Sequence, residues 1–190
     1  MGGEPRTADQ TVTVYSVQFY ELEAQVAHES AEVVLPVVLE KTGAKSVIDV
    51  GCGTGAWAAV ALNLGCTIEA VDFGVPEHLK LVNIVEHDLN HVAYPCKGWD
   101  LAICLETAEH LDPEAGPYLI RGLSEARSVL FSAATPGQPG VGHINTRPHA
   151  YWHALFARYG FIPTHIGPDF GPPVASFYVR NLFLYQRTGE

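Results

Sequence analysis

Several features are scarce or missing in this chain of 190 residues, and each absence narrows what it can be. No apolar run approaches the roughly 18 to 20 residues that span a bilayer, so no membrane segment is expected. There are no low-complexity tracts and no internal repeats, which sets aside disordered and solenoid proteins. The four cysteines (Cys52, Cys66, Cys96, Cys104) show no C-x-x-C spacing and form no framework of a small secreted scaffold. They read as reduced, mostly buried thiols in a cytoplasmic protein. Basic residues are few. Eleven Lys and Arg stand against 21 Asp and Glu, a net charge of −10, and the cations are scattered. Such a surface repels phosphate backbones, so nucleic acid is a poor partner and a small molecule a better one. The opening MGGEPRTADQ has no apolar core of the secretory kind and reads as part of a loose tail over residues 1–14. Residues 15–190 read as one domain.

What is present is an alternation of short β-branched runs with helical stretches, the pattern of a parallel sheet covered by helices on both faces. A helix is expected over Phe19–Glu40, broken or kinked at Pro36. Strands are expected at SVIDV, TIEAVD, NIVEHDL, WDLAICLE, SVLFSAA, FIPTHI and RNLFLYQR, the last one closing the sheet. Helices are expected from about Ala56 to Leu64, from about Glu114 to Ala126, and over HAYWHALFARYG. The segment TPGQPGVGHINTRP is a long Gly- and Pro-rich loop, and loops of that length in compact domains are usually functional.

The strand SVIDV runs into VGCGTG, where Gly51, Gly53 and Gly55 let the main chain turn tightly and approach a ligand. The following helix start offers free N–H groups and the positive end of its dipole. In an open α/β sheet ligands bind at the carboxyl ends of the strands. Asp49, Asp72 and Asp88 fall at or near the ends of successive strands around that turn. Asp72 is placed to accept ribose hydroxyls and Asp88 to meet an adenine amino group. Three acids around a glycine loop suit a ligand that carries positive charge rather than a pyrophosphate. The competing reading is a relaxed dinucleotide fingerprint, Gly51-x-Gly53-x-x-Ala56 with Asp72 on an NAD ribose, but it leaves Asp88 without a role.

With these residues together, the chain resembles the class I S-adenosylmethionine-dependent methyltransferases. VIDVGCGTG matches their acid-x-Gly-x-Gly-x-Gly motif, AVD and EHDL fall at their ribose and adenine positions, and WDLAICLETAEHL is similar to their segment after strand four. The likeness runs from about Ser46 to Gly160. VLFSAATPGQPGVGHIN…YW further resembles a group of small bacterial and phage methyltransferases of unassigned acceptor. That group carries Glu-Gln-Trp after His-x-Asn where this chain reads HINTRP, so the acceptor stays open. The resemblance implies a Rossmann-like, seven-stranded, mostly parallel sheet with an antiparallel last strand. It implies S-adenosyl-L-methionine as cofactor, with Asp49, Gly51, Cys52, Gly53 and Gly55 at its methionine end. Asp72 then holds the ribose, Asp88 and Leu89 meet the adenine, and Glu106 lies near the cofactor.

Transfer to a hydroxyl needs a general base or a metal to handle the proton. Glu106, Glu109 and His110 follow i, i+3, i+4 spacing and share a face if the segment after strand four is helical, with His143 in the facing loop. Glu109, His110 and His143 are therefore the candidate catalytic residues. With Glu106 they form a candidate site for Mn²⁺, Fe²⁺ or Zn²⁺. The pattern is similar to the metal sites of ubiquinone-pathway O-methyltransferases and small-RNA 2′-O-methyltransferases. His143 as a metal-free base, or a structural role for the set, are the alternatives.

His149, Trp152, His153 and Phe156 read as a core-packing helix, with Tyr151 and Trp152 as a possible acceptor wall. His87 and His91 read as rim residues, and Trp57 and Trp99 as core. Tyr15, Phe19 and Tyr20 could form a lid. The expectation is an S-adenosylmethionine-dependent methyltransferase acting on a small-molecule hydroxyl. The alternatives are a non-catalytic cofactor-binding protein and a methyltransferase of nucleic acid or protein.

Overall fold

Unbroken burial along the central strands already shows how the sheet is placed. In a strand successive side chains point to opposite faces, and in WDLAICL both sets are apolar. Leu101, Ile103 and Leu105 enter one core layer and Ala102 and Cys104 the other, all buried. A computed structural model describes residues 17–187, with side chains from Leu22 onward. The tail over residues 1–14 and the side chains of Tyr15, Phe19 and Tyr20 lie outside the described residues.

The strands are β1 (Ser46–Val50), β2 (Thr67–Asp72), β3 (Val85–Glu86), β4 (Leu101–Leu105), β5 (Ser128–Ser132), β6 (Phe161–His165) and β7 (Phe183–Arg187). They form one sheet in the order β3-β2-β1-β4-β5-β7-β6. β7 runs antiparallel to both of its neighbours and the remaining pairs are parallel. This is the expected sheet, including its antiparallel last strand. The order reverses between β1 and β4, and that switch point opens a crevice at the strands' carboxyl ends.

Helices α1 (Val17–Thr42), α2 (Ala56–Asn63) and α5 (Ser176–Asn181) lie on one face, where Val34, Leu35, Val60 and Tyr178 meet Val47, Ile103 and Leu184. Helices α3 (Gly116–Leu123) and α4 (His149–Ala157) cover the other, where Leu119, Trp152 and Phe156 pack on Ile48, Phe131 and Tyr185. Trp152 is thus a core residue, as is Trp57, while Trp99 packs at the core's edge.

Three elements differ from expectation. Pro36 lies inside α1 without ending it. It occupies an exposed position, as does Glu32, so the carbonyl left without its N–H partner faces water. β3 has two residues only, so Asp88 stands beyond it rather than at its end. Arg180 and Asn181 do not start β7 but finish a short helix, α5.

Candidate active site

Two peptide turns decide where the backbone is open. After β1, Gly51, Gly53 and Gly55 all take positive φ (74°, 55° and 85°). At Gly51 there is a second reason for glycine: a Cβ would run into the Thr107 side chain, whose hydroxyl donates to the Gly51 carbonyl at 3.1 Å. The loop after β1 and the turn after β4 are thereby pressed together. Asp72, the last residue of β2, ties down the same loop from the other side. Its carboxylate accepts the N–H groups of Gly53 (2.7 Å) and Phe73 (2.6 Å).

The crevice these turns border is a cleft of about 830 Å³. Asp49, Gly51, Cys52, Gly53, Asp72, Asp88, Leu89 and Glu106, all expected at the cofactor, line it. Gly55 is set back, against Val82. Asp49 is 3% exposed and its Oδ2 has no hydrogen-bond partner. Burial, then the nearby Asp72, push its pKa up to about 7, against the lowering pull of the Ala58 N–H. Burial also raises Asp72, to about 6, although the Gly53 and Phe73 amides oppose it. Burial thus disfavours the charged form of both groups. Asp88 accepts the Asn90 N–H at 2.9 Å and lies 3.6 Å from His91. His87 lines the cleft, while His91 is mostly exposed.

Just past β4, Glu106 takes φ 49°, and a single 3₁₀ turn follows over Ala108–His110. The expected helical face is replaced by a kink, which leaves the Glu106 carboxyl beside that of Glu109 but outside the group that Glu109 forms with the histidines. Glu106 accepts Gln138 Nε2 at 3.0 Å and Asn181 Nδ2 at 3.2 Å. Asn181 Nδ2 also reaches Gln138 Oε1 (2.9 Å), and its Oδ1 pairs with His149 Nε2 at 3.2 Å.

Glu109 turns inward and is fully buried. Its Oε1 accepts the Ala134 N–H at 2.9 Å, and its carbonyl accepts the N–H groups of Ile144 and Asn145. Asn145, itself buried, donates to the Ala108 carbonyl. The long loop after β5 is thus buttoned onto the turn after β4, which brings in His143. His143 and His110 meet edge to face with centroids 5.0 Å apart, and His143 Nε2 lies 4.0 Å from Glu109 Oε1. A side chain at Gly140 would occupy the space of the His143 ring.

Ligand atoms of Glu109, His110 and His143 all lie within 4.8 Å of one another. This is the only such group of three among the described residues, and Glu106 is outside it. Burial and the Glu106 carboxylate raise the pKa of Glu109, whose Oε2 no donor faces. Burial and His143 lower His110 to about 4, so it is a neutral imidazole at ordinary pH. One carboxylate with two imidazoles and an unsatisfied oxygen is a donor set that fits a borderline divalent cation.

Sequence reasoning missed Gln138 and Asn181. The first sat in a loop with no pattern, and the second in a segment read as strand. Tyr151 and Trp152 do not line the cleft.

Comparison with known proteins identifies the class. Residues 22–121 match the methyltransferase domain family, more than half of the chain, and the protein belongs to it. The fold is that of solved methyltransferases. The magnesium protoporphyrin IX methyltransferase of Synechocystis, solved with bound SAH, is similar at 18% identity over 95% of this chain and 94% of that one, TM-score 0.63. The sugar N-methyltransferase KedS8 of Streptoalloteichus matches at 18% identity over 98% of both chains, TM-score 0.63. Human N-acetylserotonin methyltransferase, solved with SAM, matches at 17% identity over 90% of this chain and 55% of that one, TM-score 0.64. No curated protein sequence matches the chain. Family membership sets aside the dinucleotide reading of Gly51, Gly53 and Ala56. No helix among the described residues is long and apolar enough to cross a membrane.

Proposed function

We propose that residues 15–190 act as one S-adenosylmethionine-dependent methyltransferase domain that methylates a hydroxyl group of a small molecule. The observation that carries the hydroxyl is the cluster of Glu109, His110 and His143 beside a cleft built for a cationic adenosyl donor.

In this reading the unpartnered Oδ2 of Asp49 takes the donor's ammonium, Asp72 its ribose hydroxyls, and Asp88 with Leu89 its adenine. Asp72 can do so while holding Gly53 and Phe73, because each carboxylate oxygen keeps a second lone pair. Reaction is an in-line displacement. A lone pair of the acceptor oxygen forms the new C–O bond as the C–S bond breaks, and its electron pair leaves with sulfur as a neutral thioether. The cleft's share of this is to align the two partners.

The acceptor must also lose its proton. Glu109, His110 and His143 are the residues that would hold a divalent cation, which when bound lowers the pKa of a coordinated hydroxyl. A second reading rests on one contact: His143 Nδ1 lies 3.2 Å from the Gln138 carbonyl. A ring nitrogen beside a carbonyl oxygen carries the proton, so Nε2 is left as a base.

Transfer of labelled methyl to hydroxylated acceptors, run with chelator and then with Mn²⁺ or Zn²⁺ added back, tests both. Turnover lost to chelator and restored by metal supports the first reading; turnover indifferent to chelator but lost in His143→Ala supports the second. Full turnover in both Glu109→Gln and His143→Ala would refute the assignment of this cluster to catalysis.

A further inference from the structure

The cleft contains many carboxylates and, among the described residues that line it, no lysine or arginine. Glu23 from α1, Asp49 from β1, Asp72 from β2, Asp88 from the segment after β3 and Glu106 from just past β4 all line it. Three of them converge at one end: burial and the charges of Glu106, Asp49 and Glu23 together push up the pKa of the Tyr178 phenol. Glu23 is itself raised by burial and by Glu106. Asp49 Oδ2 is buried and has no hydrogen-bond partner to offset its charge. One monocationic donor does not balance this set. Even with a divalent ion on Glu109, His110 and His143, carboxylates outnumber positive charges.

The outer part of the cleft, next to His143, has a different character. Leu111 is buried there, and Val141 and Ile144 on the loop after β5 stand 52% and 53% exposed at its mouth. Apolar side chains left that open beside a reacting group offer surface to an apolar ligand.

We propose that the acceptor is an apolar hydroxylated molecule, uncharged or cationic near the methylated oxygen, and that the cleft rejects acceptors bearing phosphate, sulfate or carboxylate there. The inference rests on the methyltransferase reading for the word acceptor; the charge selection belongs to the cleft itself. Phosphate-bearing acceptors, nucleotides and RNA ends among them, would have to bring an anion past Glu23 and Glu106 with no lysine or arginine among the described lining residues to receive it. Carboxylates without counter-charges disfavour like charge and favour the opposite one, most strongly where water is excluded.

The test reads the potential at the mouth without knowing the acceptor. Ile144→Cys in the full chain, saturated with S-adenosylhomocysteine, is reacted with an anionic methanethiosulfonate (sulfonatoethyl) and a cationic one (trimethylammonioethyl). Rates are corrected for the wild-type protein, whose Cys52 lines the cleft, and for each reagent's rate with a free thiol. The cation should react at least about tenfold faster than the anion, with the gap shrinking as salt rises. The gap should also narrow in the Glu23→Gln background. Equal rates, or a faster anion, would overturn the proposal, as would turnover of an anionic acceptor ahead of its uncharged counterpart. Val141→Cys serves as a second reporter position. Failure of S-adenosylhomocysteine to bind in calorimetry would instead count against the methyltransferase reading, leaving the charge ratio to be judged alone.

Discussion

Asp49 holds its carboxyl where charge is least supported, and its behaviour with pH follows. Its folded pKa of about 7 lies above the ordinary 3.8, so the folded state keeps a proton that the unfolded chain has released. The stability from that proton is fully present below 3.8 and is lost as pH rises through 7. The shift corresponds to about 4 kcal/mol as an order of magnitude. Asp49→Asn should remove this dependence and raise the melting temperature of the ligand-free protein above pH 7. The same substitution should weaken S-adenosylmethionine at least about tenfold, because a cation bound to Oδ2 is what compensates the buried charge. In the wild type, affinity for the cationic donor should rise as pH passes 7. Calorimetry and thermal unfolding from pH 5 to 9 would check both; affinity that falls over that range would contradict the role given to Asp49.

Glu109 gives a cleaner separation of folding from chemistry. Its Oε1 is fixed by the Ala134 N–H, a bond an amide oxygen can also accept. Glu109→Gln should therefore keep the loop in place and leave donor affinity within about threefold, while turnover falls about a hundredfold or more. Unchanged turnover would leave the residue a purely structural one.

At the scale of elements, the link between α5 and the loop after β5 is the finding that sequence reading could not reach. SFYVRN is six residues long and precedes a strand-like run, so neither helical period nor length marks it. Yet Asn181 at its end joins Glu106, Gln138 and His149. Through Gln138 it also bears on His143, whose Nδ1 meets the Gln138 carbonyl. Asn181→Leu should lower turnover by about tenfold with little effect on donor affinity, and should add little to Gln138→Leu, since the two act through one network. Full additivity of the two in turnover measurements would show that they act separately.

Other elements were legible for definable reasons. β1, β2, β4 and β5 are short, apolar and bounded by turn residues, and VGCGTG declares its own turn. β3 was overestimated because NIVEHDL has strand character along its length, whereas only Val85 and Glu86 reach β2. Pro36 was read as a breaker because a sequence does not show that its freed carbonyl lies on the solvent side. The i, i+3, i+4 reading put Glu106, Glu109 and His110 on one helical face, whereas the chain forms a kink and a 3₁₀ turn there. A positive φ at Glu106 is a tertiary outcome, set where its N–H meets Ser132 on the neighbouring strand.

For the whole molecule, the sheet order and the switch point between β1 and β4 put the expected cofactor and catalytic residues, Gly55 excepted, at one cleft or immediately beneath it. A ligand bound there links α1, the glycine turn and the loop after β5, and so should stabilise the fold as a unit. S-adenosylmethionine at a hundredfold its Kd should add about 2.7 kcal/mol and raise the melting temperature by roughly 5 to 10 °C. NAD at the same concentration should add nothing. The acidic cleft matches the acidic molecule, whose net charge of −10 already opposes polyanionic partners.

The most direct measurement is a calorimetric titration of the full chain with S-adenosylmethionine, S-adenosylhomocysteine and NAD. Micromolar binding of the first two, with no heat from the third, is the result expected of this cleft. Binding of NAD with neither adenosyl ligand bound would contradict the assignment and return Asp72 to a dinucleotide ribose.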